Sequence, residues 1–295
     1  MKIIAISTSA VILMMAFWEI TSAKIPEFSS VENYQGSLKK GEYVFNASGC
    51  ASCHSSPDTT QEEKLVLTGG RAFPSPFGTF YAPNISMDKV NGIGAWSEKD
   101  FVNAVRHGVS PEGKHYYPSF PYTSYANMTD QDITDLWVYF KSIPESSKPS
   151  IDHDLPMYLR WRRPLAFWKL LNKREPIIEL VSVDATLQRG AYLVETLGHC
   201  AECHTPRNFI GGLQYEYWLG GSKNPAGRGM IPNITSSKLN WNTEEIVEYL
   251  ASVFTPDFDV AGGHMAHVIE NTSKLTEEDR IAIAEYLKAI PGVQK

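Results

Sequence analysis

The chain contains the pentapeptide C-x-x-C-H twice, and the two copies use all four of its cysteines. The first copy is CASCH at 50–54, and the second is CAECH at 200–204, 150 residues later. Thiols three residues apart on one helical turn can form thioether bonds to the two vinyl groups of a haem, and the adjacent imidazole can bind its iron. The sequence therefore predicts two covalently attached haem c groups. The predicted attachment points are Cys50, Cys53, Cys200 and Cys203, and the predicted axial ligands are His54 and His204.

Two other uses of paired cysteines fit the sequence less well. A zinc site needs four ligands for each metal, and each motif offers two cysteines and one histidine. A thioredoxin-type redox site expects a βαβ context, which the pattern around the motifs does not show. No cysteine is left over for a disulfide framework.

The sequence around each motif repeats as well. The tripeptide Pro-Asn-Ile follows each motif at almost the same distance, at 83–85 and 232–234. A tryptophan comes next in each half, at Trp96 and Trp241. An internal repeat with a period near 150 residues indicates two copies of one domain.

Each half closes on a matching segment that predicts a helix, at 129–144 and 276–291. Thr129 and Thr276 are good N-caps, and an aspartate three residues later, Asp132 or Asp279, predicts a capping box. A proline ends each segment. Apolar side chains at helical spacing predict a buried stripe in the first segment, formed by Ile133, Leu136, Trp137, Phe140 and Ile143.

These patterns predict an all-α fold with two tandem domains, at 24–145 and 188–295, each with a few short helices and long loops around a haem. Residues 146–187 form a connector that is too aromatic for a free linker. We expect the connector to pack across both domains. Its mixture of basic residues with tryptophan and leucine is also typical of a segment at a membrane interface or a partner surface.

The N-terminus predicts a targeting segment at 1–23. Lys2 precedes an apolar run of about 16 residues, which is short of the roughly 20 that a spanning helix needs. Small residues suited to signal-peptidase cleavage then precede Lys24. We therefore expect export to the periplasm. An uncleaved anchor, which would associate the protein with a membrane, is the alternative.

The charge balance excludes one class of partner. The 295 residues include 27 basic and 33 acidic side chains, for a net charge of −6. A nucleic-acid-binding protein needs a basic face, so no nucleic acid is expected. Ionised haem propionates would make the assembled protein more acidic still, which favours docking on basic patches of partners.

Both halves resemble class I cytochrome c domains. From about Leu38 to its C-terminus, the chain is similar to the di-haem cytochromes related to the cytochrome c subunits of membrane-bound alcohol and gluconate dehydrogenases. Besides the two motifs, the strings that carry the resemblance are Gly69-Gly70, Phe77-Gly78-Thr79, Pro83-Asn84-Ile85, Gly92-Ile93-Gly94-Ala95-Trp96, Tyr117-Pro118-Ser119-Phe120-Pro121-Tyr122 and Gly262-Gly263-His264-Met265-Ala266. The resemblance implies electron transfer from a dehydrogenase toward a terminal oxidase or a soluble cytochrome.

The resemblance also implies a methionine on the far side of each haem. Met265 stands at that position in the second half. In the first half Phe120 replaces the methionine, and phenylalanine cannot bind iron. Met128 is the nearest soft alternative, and the other interpretation, which we favour, is an apolar residue that covers the start of a helix. His107 and His115 lie in polar loops, where solvent or a propionate would be their partner.

Three further residues, Arg71, Trp96 and Trp241, could donate hydrogen bonds to haem propionates, and ordinary packing is the other interpretation. An open sixth site on the first haem would permit a second function. The protein would then be a haem enzyme that oxidises or reduces a small molecule, with the second haem as electron relay. Electron transfer without a catalytic residue of its own is the main prediction.

Overall fold

The computed structural model describes residues 2–23, 34–57, 64–172, 184–225, 227 and 229–294. Within these residues the fold is mostly helical, and the strands form two short antiparallel hairpins. We call 34–145 the first half, 146–172 the connector and 184–294 the second half. The predicted cleavage point before Lys24 lies outside the described residues.

The elements follow the repeat seen in the sequence. The N-terminal segment and the first half contain α1 Lys2–Ile20, α2 Leu38–Ala47, α3 Cys50–His54, β1 Ala72–Ser75, β2 Gly78–Tyr81, α4 Glu98–His107, α5 Tyr122–Tyr125 and α6 Asp130–Phe140. The connector contains α7 Met157–Arg160 and α8 Leu165–Leu171. The second half contains α9 Ala185–Ala191, a π-helical turn Tyr192–Leu197, α10 Ala201–His204, a 3₁₀ turn Tyr215–Tyr217, β3 Ser222–Lys223, β4 Met230–Ile231, α11 Thr243–Ser252, α12 His264–Thr272 and α13 Glu277–Ala289.

The two predicted closing helices are present as α6 and α13. Thr129 and Thr276 are their N-caps, and each side chain accepts a hydrogen bond from the backbone N–H three residues on. The predicted stripe on α6 is confirmed, because all five of its apolar side chains are at most 6% exposed.

The capping boxes predicted at these two helices are wrong in one of their two hydrogen bonds. The backbone N–H of the N-cap threonine does not donate to the aspartate side chain three residues on. The backbone N–H of Thr129 donates to the hydroxyl of Tyr192 at 3.1 Å, and that hydroxyl donates to the Asp132 carboxylate at 2.6 Å. A tyrosine from the other half thus stands between the two groups that a capping box would join.

A close helix crossing holds each half together. In the first half α2 packs on α6, and a Cβ at Gly41 would lie 2.0 Å from the carbonyl oxygen of Asp135. In the second half α9 packs on α13, and a Cβ at Gly190 would lie 2.0 Å from the carbonyl oxygen of Ala282. Only glycine permits backbones to approach this closely. The same device therefore closes both halves.

The hydrophobic core runs through both halves as one cluster. In the first half the buried ring of Phe45 packs against Tyr139 and Phe140, with ring centroids 5.1 and 5.7 Å apart. The second half contributes fully buried residues such as Leu197 and Tyr286 to the same cluster. A shared core fixes the two halves relative to each other.

The hairpins are a departure from the all-α prediction. Strands β1 and β2 pair from Ala72 opposite Tyr81 to Ser75 opposite Gly78, so a two-residue turn joins them. Gly78 has a φ of +123°, and a Cβ there would lie 2.4 Å from the carbonyl oxygen of Asp154. Glycine at this position therefore allows the connector to approach β2 closely.

The connector contacts both halves. On the first half, Leu155 packs with Phe80 and Tyr117 in a second, smaller buried cluster. On the second half, the indole N–H of Trp168 donates to the carbonyl oxygen of Ile210 at 2.8 Å. The connector therefore braces the two halves against each other.

The apolar N-terminal segment forms α1 and ends against the connector. In the described part of the chain, no helix meets the length and apolarity needed to cross a membrane.

Candidate functional site

The first C-x-x-C-H motif forms its own short helix, α3. Its N-cap, Gly49, has a φ of +61°, which allows the chain to turn sharply out of α2 into α3. One helical turn then carries Cys50, Cys53 and His54, as the spacing predicts. In the second motif, Cys200 is the N-cap of α10, which ends at His204. None of the four cysteines forms a disulfide.

The two motif histidines have the same hydrogen bond. His54 Nδ1 lies 2.9 Å from the carbonyl oxygen of Pro83, and His204 Nδ1 lies 2.8 Å from that of Pro232. A carbonyl oxygen can only accept, so Nδ1 carries the proton and the Nε2 lone pair is available to a metal. Burial lowers the pKa of both imidazoles, which favours the neutral form that binds iron.

An asparagine next to each of these prolines anchors the loop that carries the proline carbonyl. The Asn84 amide donates to the carbonyl oxygens of Ser146 and Lys148, at 2.8 and 2.7 Å, and so ties its loop to the chain that follows α6. The Asn233 amide donates in the same way to the carbonyl oxygen of Val293, after α13, at 2.8 Å. The repeated Pro-Asn-Ile string therefore positions the hydrogen-bond acceptor of each motif histidine.

A glycine after each motif completes this arrangement. The carbonyl oxygen of His54 accepts the N–H of Gly69 at 2.6 Å, and that of His204 accepts the N–H of Gly221 at 2.7 Å. Gly69 has a φ of +71°, and a Cβ there would lie 2.4 Å from the carbonyl oxygen of Ala82. Larger residues would displace the loop that carries the proline carbonyl.

The two thiols of the first motif are partly accessible at the protein surface. Burial raises the pKa of Cys50 to about 12 and that of Cys53 to about 11. Protonated thiols of this kind are poor redox nucleophiles. Their place on one helical turn fits two attachment points for a single cofactor.

A buried hydrogen-bond donor without a partner lies near the first motif. The Nε of Arg71 is buried and has no hydrogen-bond partner among the described residues. Its positive charge opposes the rise in the pKa of Cys53, which places it near that thiol. An anionic propionate would satisfy this donor. Trp96 and Trp241 pack partly buried against the core, and their propionate contacts stay predictions.

The candidates for the sixth ligand lie in different surroundings. Met265 is in the first turn of α12 and is partly buried against the core. Phe120 is surrounded by tyrosine rings, with centroids 6.1, 6.4 and 6.0 Å away at Tyr116, Tyr122 and Tyr125.

Met128 is a core residue directly before the N-cap of α6, and Leu275 occupies the corresponding position before α13. Both side chains are buried in the shared core. Because leucine, which cannot bind iron, is buried at the equivalent position, packing alone accounts for the burial of Met128. Its role as a ligand of the first haem stays a prediction.

His115 corrects an expectation from the sequence. The polar string around it predicts a solvated side chain, but the structure buries it. Its Nδ1 lies 3.1 Å from the Lys169 ammonium, and its Nε2 lies 3.2 Å from the carbonyl oxygen of Thr21. The connector and the N-terminal segment, which are distant in sequence, account for this burial.

Each motif also contacts the opposite half, which the sequence did not indicate. The Asn271 amide of α12 donates to the Ser52 hydroxyl of the first motif at 2.7 Å. His199, next to the second motif, lies edge-on to the Tyr125 ring of the first half, with centroids 5.5 Å apart. Asn271 is on α12, which also carries the predicted ligand Met265. Tyr125 packs against Phe120, which stands at the corresponding ligand position of the first half. The two candidate sites are therefore neighbours across the interface between the halves.

Comparison with known proteins identifies the family of this chain. The sequence model of the cytochrome c family matches residues 38–144. A diheme cytochrome c-type protein of Cereibacter sphaeroides is 51% identical over 259 residues, which are 88% of this chain and 88% of that protein. The chain belongs to the cytochrome c family.

This cytochrome is also similar to parts of larger proteins. It is 33% identical to the fructose dehydrogenase cytochrome subunit of Gluconobacter japonicus over 88% of the chain, and 34% identical to the gluconate 2-dehydrogenase cytochrome c subunit of Pantoea cypripedii over 86%. It spans 54% and 59% of their lengths. The resemblance found in the sequence is confirmed, and haem c is the cofactor that the family implies.

Proposed function

We propose that this cytochrome is exported to the periplasm and carries electrons through two covalently bound haems, one in each predicted domain. The observation that carries the proposal is the pair of histidines His54 and His204. Each has its Nδ1 fixed by a proline carbonyl and its Nε2 available to iron. Because the arrangement occurs in both halves, it supports two iron sites. A bound haem supplies reversible one-electron chemistry at iron.

The remaining site residues have supporting roles in this proposal. The thiols of Cys50, Cys53, Cys200 and Cys203 tether the cofactor, and Arg71 neutralises a propionate. Met265 gives the second iron a soft sulfur ligand, which favours the reduced state and raises the potential.

The contacts between the motifs support electron transfer within the molecule. The shared core and the connector hold the halves in one arrangement, and the Tyr125–His199 contact lies between the two motifs. A rigid, largely dry interface of this kind limits the rearrangement that accompanies a change in charge.

We propose a dehydrogenase as electron donor and a terminal oxidase or soluble cytochrome as acceptor. Support for the donor comes from the names of the relatives, two of which are cytochrome subunits of sugar or sugar-acid dehydrogenases. The net charge of −6 supports docking on a basic surface, with a rate that falls as salt increases.

A potentiometric titration of the purified holoprotein tests the proposal. We expect two one-electron steps per chain, and each of His54→Ala and His204→Ala should abolish one step. The control His107→Ala, outside both motifs, should keep both. A wild-type chain that takes up fewer than two electrons would contradict the proposal.

Phe120, which cannot bind iron, stands where the resemblance implies a methionine, and this favours a second candidate function, that of a haem enzyme with an open site in the first half. Carbon monoxide added to the reduced protein should then bind at one haem, and Phe120→Met should abolish this binding. If no carbon monoxide binds to the wild type, the enzyme function is excluded and electron transfer stands alone.

A further inference from the structure

The N-terminal segment is docked on the connector by aromatic contacts. The Phe17 ring lies 5.6 Å from the Trp161 ring in a stacked arrangement and 6.2 Å from the Phe167 ring. The Arg163 guanidinium lies 3.2 Å from the centroid of the Trp18 ring and donates to the carbonyl oxygen of Trp18 at 3.0 Å. Both the apolar face of the connector and one of its charges therefore engage α1.

Polar contacts continue the docking beyond the end of α1. Thr21 is buried, and its hydroxyl accepts a hydrogen bond from Arg163 at 3.1 Å. Its carbonyl oxygen lies 3.2 Å from His115 Nε2, and the Lys169 ammonium lies 3.1 Å from Nδ1 of the same ring. Removal of residues 1–23 would break these hydrogen bonds and expose the surface that Thr21 covers at His115.

The rest of the described part of α1 is apolar and exposed. Five successive side chains, from Val11 to Met15, are between 48% and 70% exposed. Successive residues of an α-helix are about 100° apart, so these five point to all sides of the helix. A helix that is apolar all round is stable when it is enclosed by other apolar groups, and the described protein atoms do not enclose this one.

The connector adds an apolar surface at the foot of α1. Five of its apolar side chains are more than half exposed, namely Met157, Tyr158, Trp161, Leu170 and Leu171. Of these, Trp161 contacts α1 through Phe17. Tyrosine and tryptophan are typical of the boundary between hydrocarbon and water. We call α1 together with these five side chains the α1–connector face.

We propose that residues 1–23 are retained in the mature cytochrome and that the α1–connector face lies in a lipid surface, with both halves outside it. Lipid is favoured over a protein partner because the apolar side chains surround α1 on every side, whereas a protein partner would cover one side. Residues 10–20 of α1 rise about 16 Å, which is enough to reach through one leaflet of the ~30 Å hydrocarbon core. This proposal does not depend on the electron-transfer function.

The full chain, expressed with its own N-terminus and loaded with haem, tests retention. We expect the intact mass of the haem-containing protein to include residues 1–23. We also expect it to sediment with vesicles of phosphatidylcholine and phosphatidylglycerol. A mature protein that begins at Lys24 would overturn the proposal, as would full-length protein that stays in the supernatant.

A pair of variants tests the face itself. Leu170→Glu combined with Leu171→Glu should reduce the vesicle-bound fraction at least tenfold, because both side chains lose apolar burial. The control Phe258→Glu changes an equally exposed apolar residue in the second half and should leave binding unchanged. Unchanged haem spectra will show that the variants fold. Equal binding by both variants, or binding to a protein partner without binding to pure vesicles, would overturn the proposal.

Discussion

The Tyr43 hydroxyl donates a hydrogen bond to the Asp279 carboxylate at 2.6 Å, across 236 residues of sequence. The same hydroxyl accepts the backbone N–H of Thr276 at 3.1 Å, so a residue of the first half completes the cap of the last helix. Tyr192 makes the same two bonds to the start of α6, with Asp132 as acceptor. The exchange is reciprocal, as at an interface between two identical subunits related by a two-fold axis.

Removal of either hydroxyl should destabilise the interface between the halves. We expect Tyr43→Phe and Tyr192→Phe each to lower the free energy of unfolding by about 1 kcal/mol, because each removes a hydrogen bond to a carboxylate and leaves a cap N–H without its acceptor. Urea unfolding followed by circular dichroism measures this. Tyr158→Phe, at an exposed tyrosine, is the control and should change little. Equal stability of all four proteins would contradict the role of the exchange.

The Asp279 interaction should also depend on pH. Burial alone would raise the pKa of Asp279, but hydrogen bonds from Arg189 and Tyr43, together with the Arg189 charge, hold it below its usual value. The folded state therefore binds this proton less readily than the unfolded state, so the stabilisation is complete above about pH 4 and is lost as the pH falls further.

Comparison with Asp279→Asn checks this sign. The stability difference between wild type and variant should be largest near pH 7 and should shrink below pH 4. Asp257→Asn, at an exposed position, should show no such trend. A difference that grows on acidification would contradict the assignment.

Local features of the fold could be predicted from the sequence. The caps at Thr129 and Thr276 and the stripe on α6 depend on residues within a few positions of each other, and the structure confirms them. The capping boxes failed because a hydroxyl from the opposite half competes for the same groups, and no local pattern encodes that contact. Strand β2 likewise has a distant partner, because the N–H of Thr79 donates to the carbonyl oxygen of Asp154 at 2.9 Å.

In the candidate site, too, the local features could be predicted from the sequence and the long-range contacts could not. The C-x-x-C-H spacing places thiols and imidazole together on one turn, so the sequence alone indicates this part. The bond from His54 to Pro83 joins residues 29 apart, and only the repeated Pro-Asn-Ile string hinted at it. The contact between Tyr125 and His199 joins the halves and has no sequence signal.

The glycines at the helix crossings should tolerate no side chain. In an open helix Gly→Ala would stabilise by about 1 kcal/mol, but a Cβ at 2.0 Å from a carbonyl oxygen forces the helices apart. We therefore expect Gly41→Ala and Gly190→Ala each to lower the free energy of unfolding by about 2 kcal/mol or more. Thermal unfolding measures the loss, and Gly262→Ala, which has open space for a Cβ, is the control. Stabilisation by either core substitution would show that the crossing is not close.

Loss of the sulfur at Met265 should change one haem alone. Because a methionine ligand raises the potential, Met265→Leu should lower one of two potentials by on the order of 100 mV and make that haem high-spin. Spectropotentiometry measures both effects. Met230→Leu, at an exposed methionine, should leave both potentials in place. If Met265→Leu also leaves both reduction potentials unchanged, Met265 is not an iron ligand.

Two haem sites, one at each motif, are the centre of this account. The intact mass of the holoprotein under denaturing conditions counts covalent haems directly. We predict two haem increments on the wild-type chain and one after Cys200→Ser with Cys203→Ser. A wild-type chain that carries one haem increment, or none, would contradict the account.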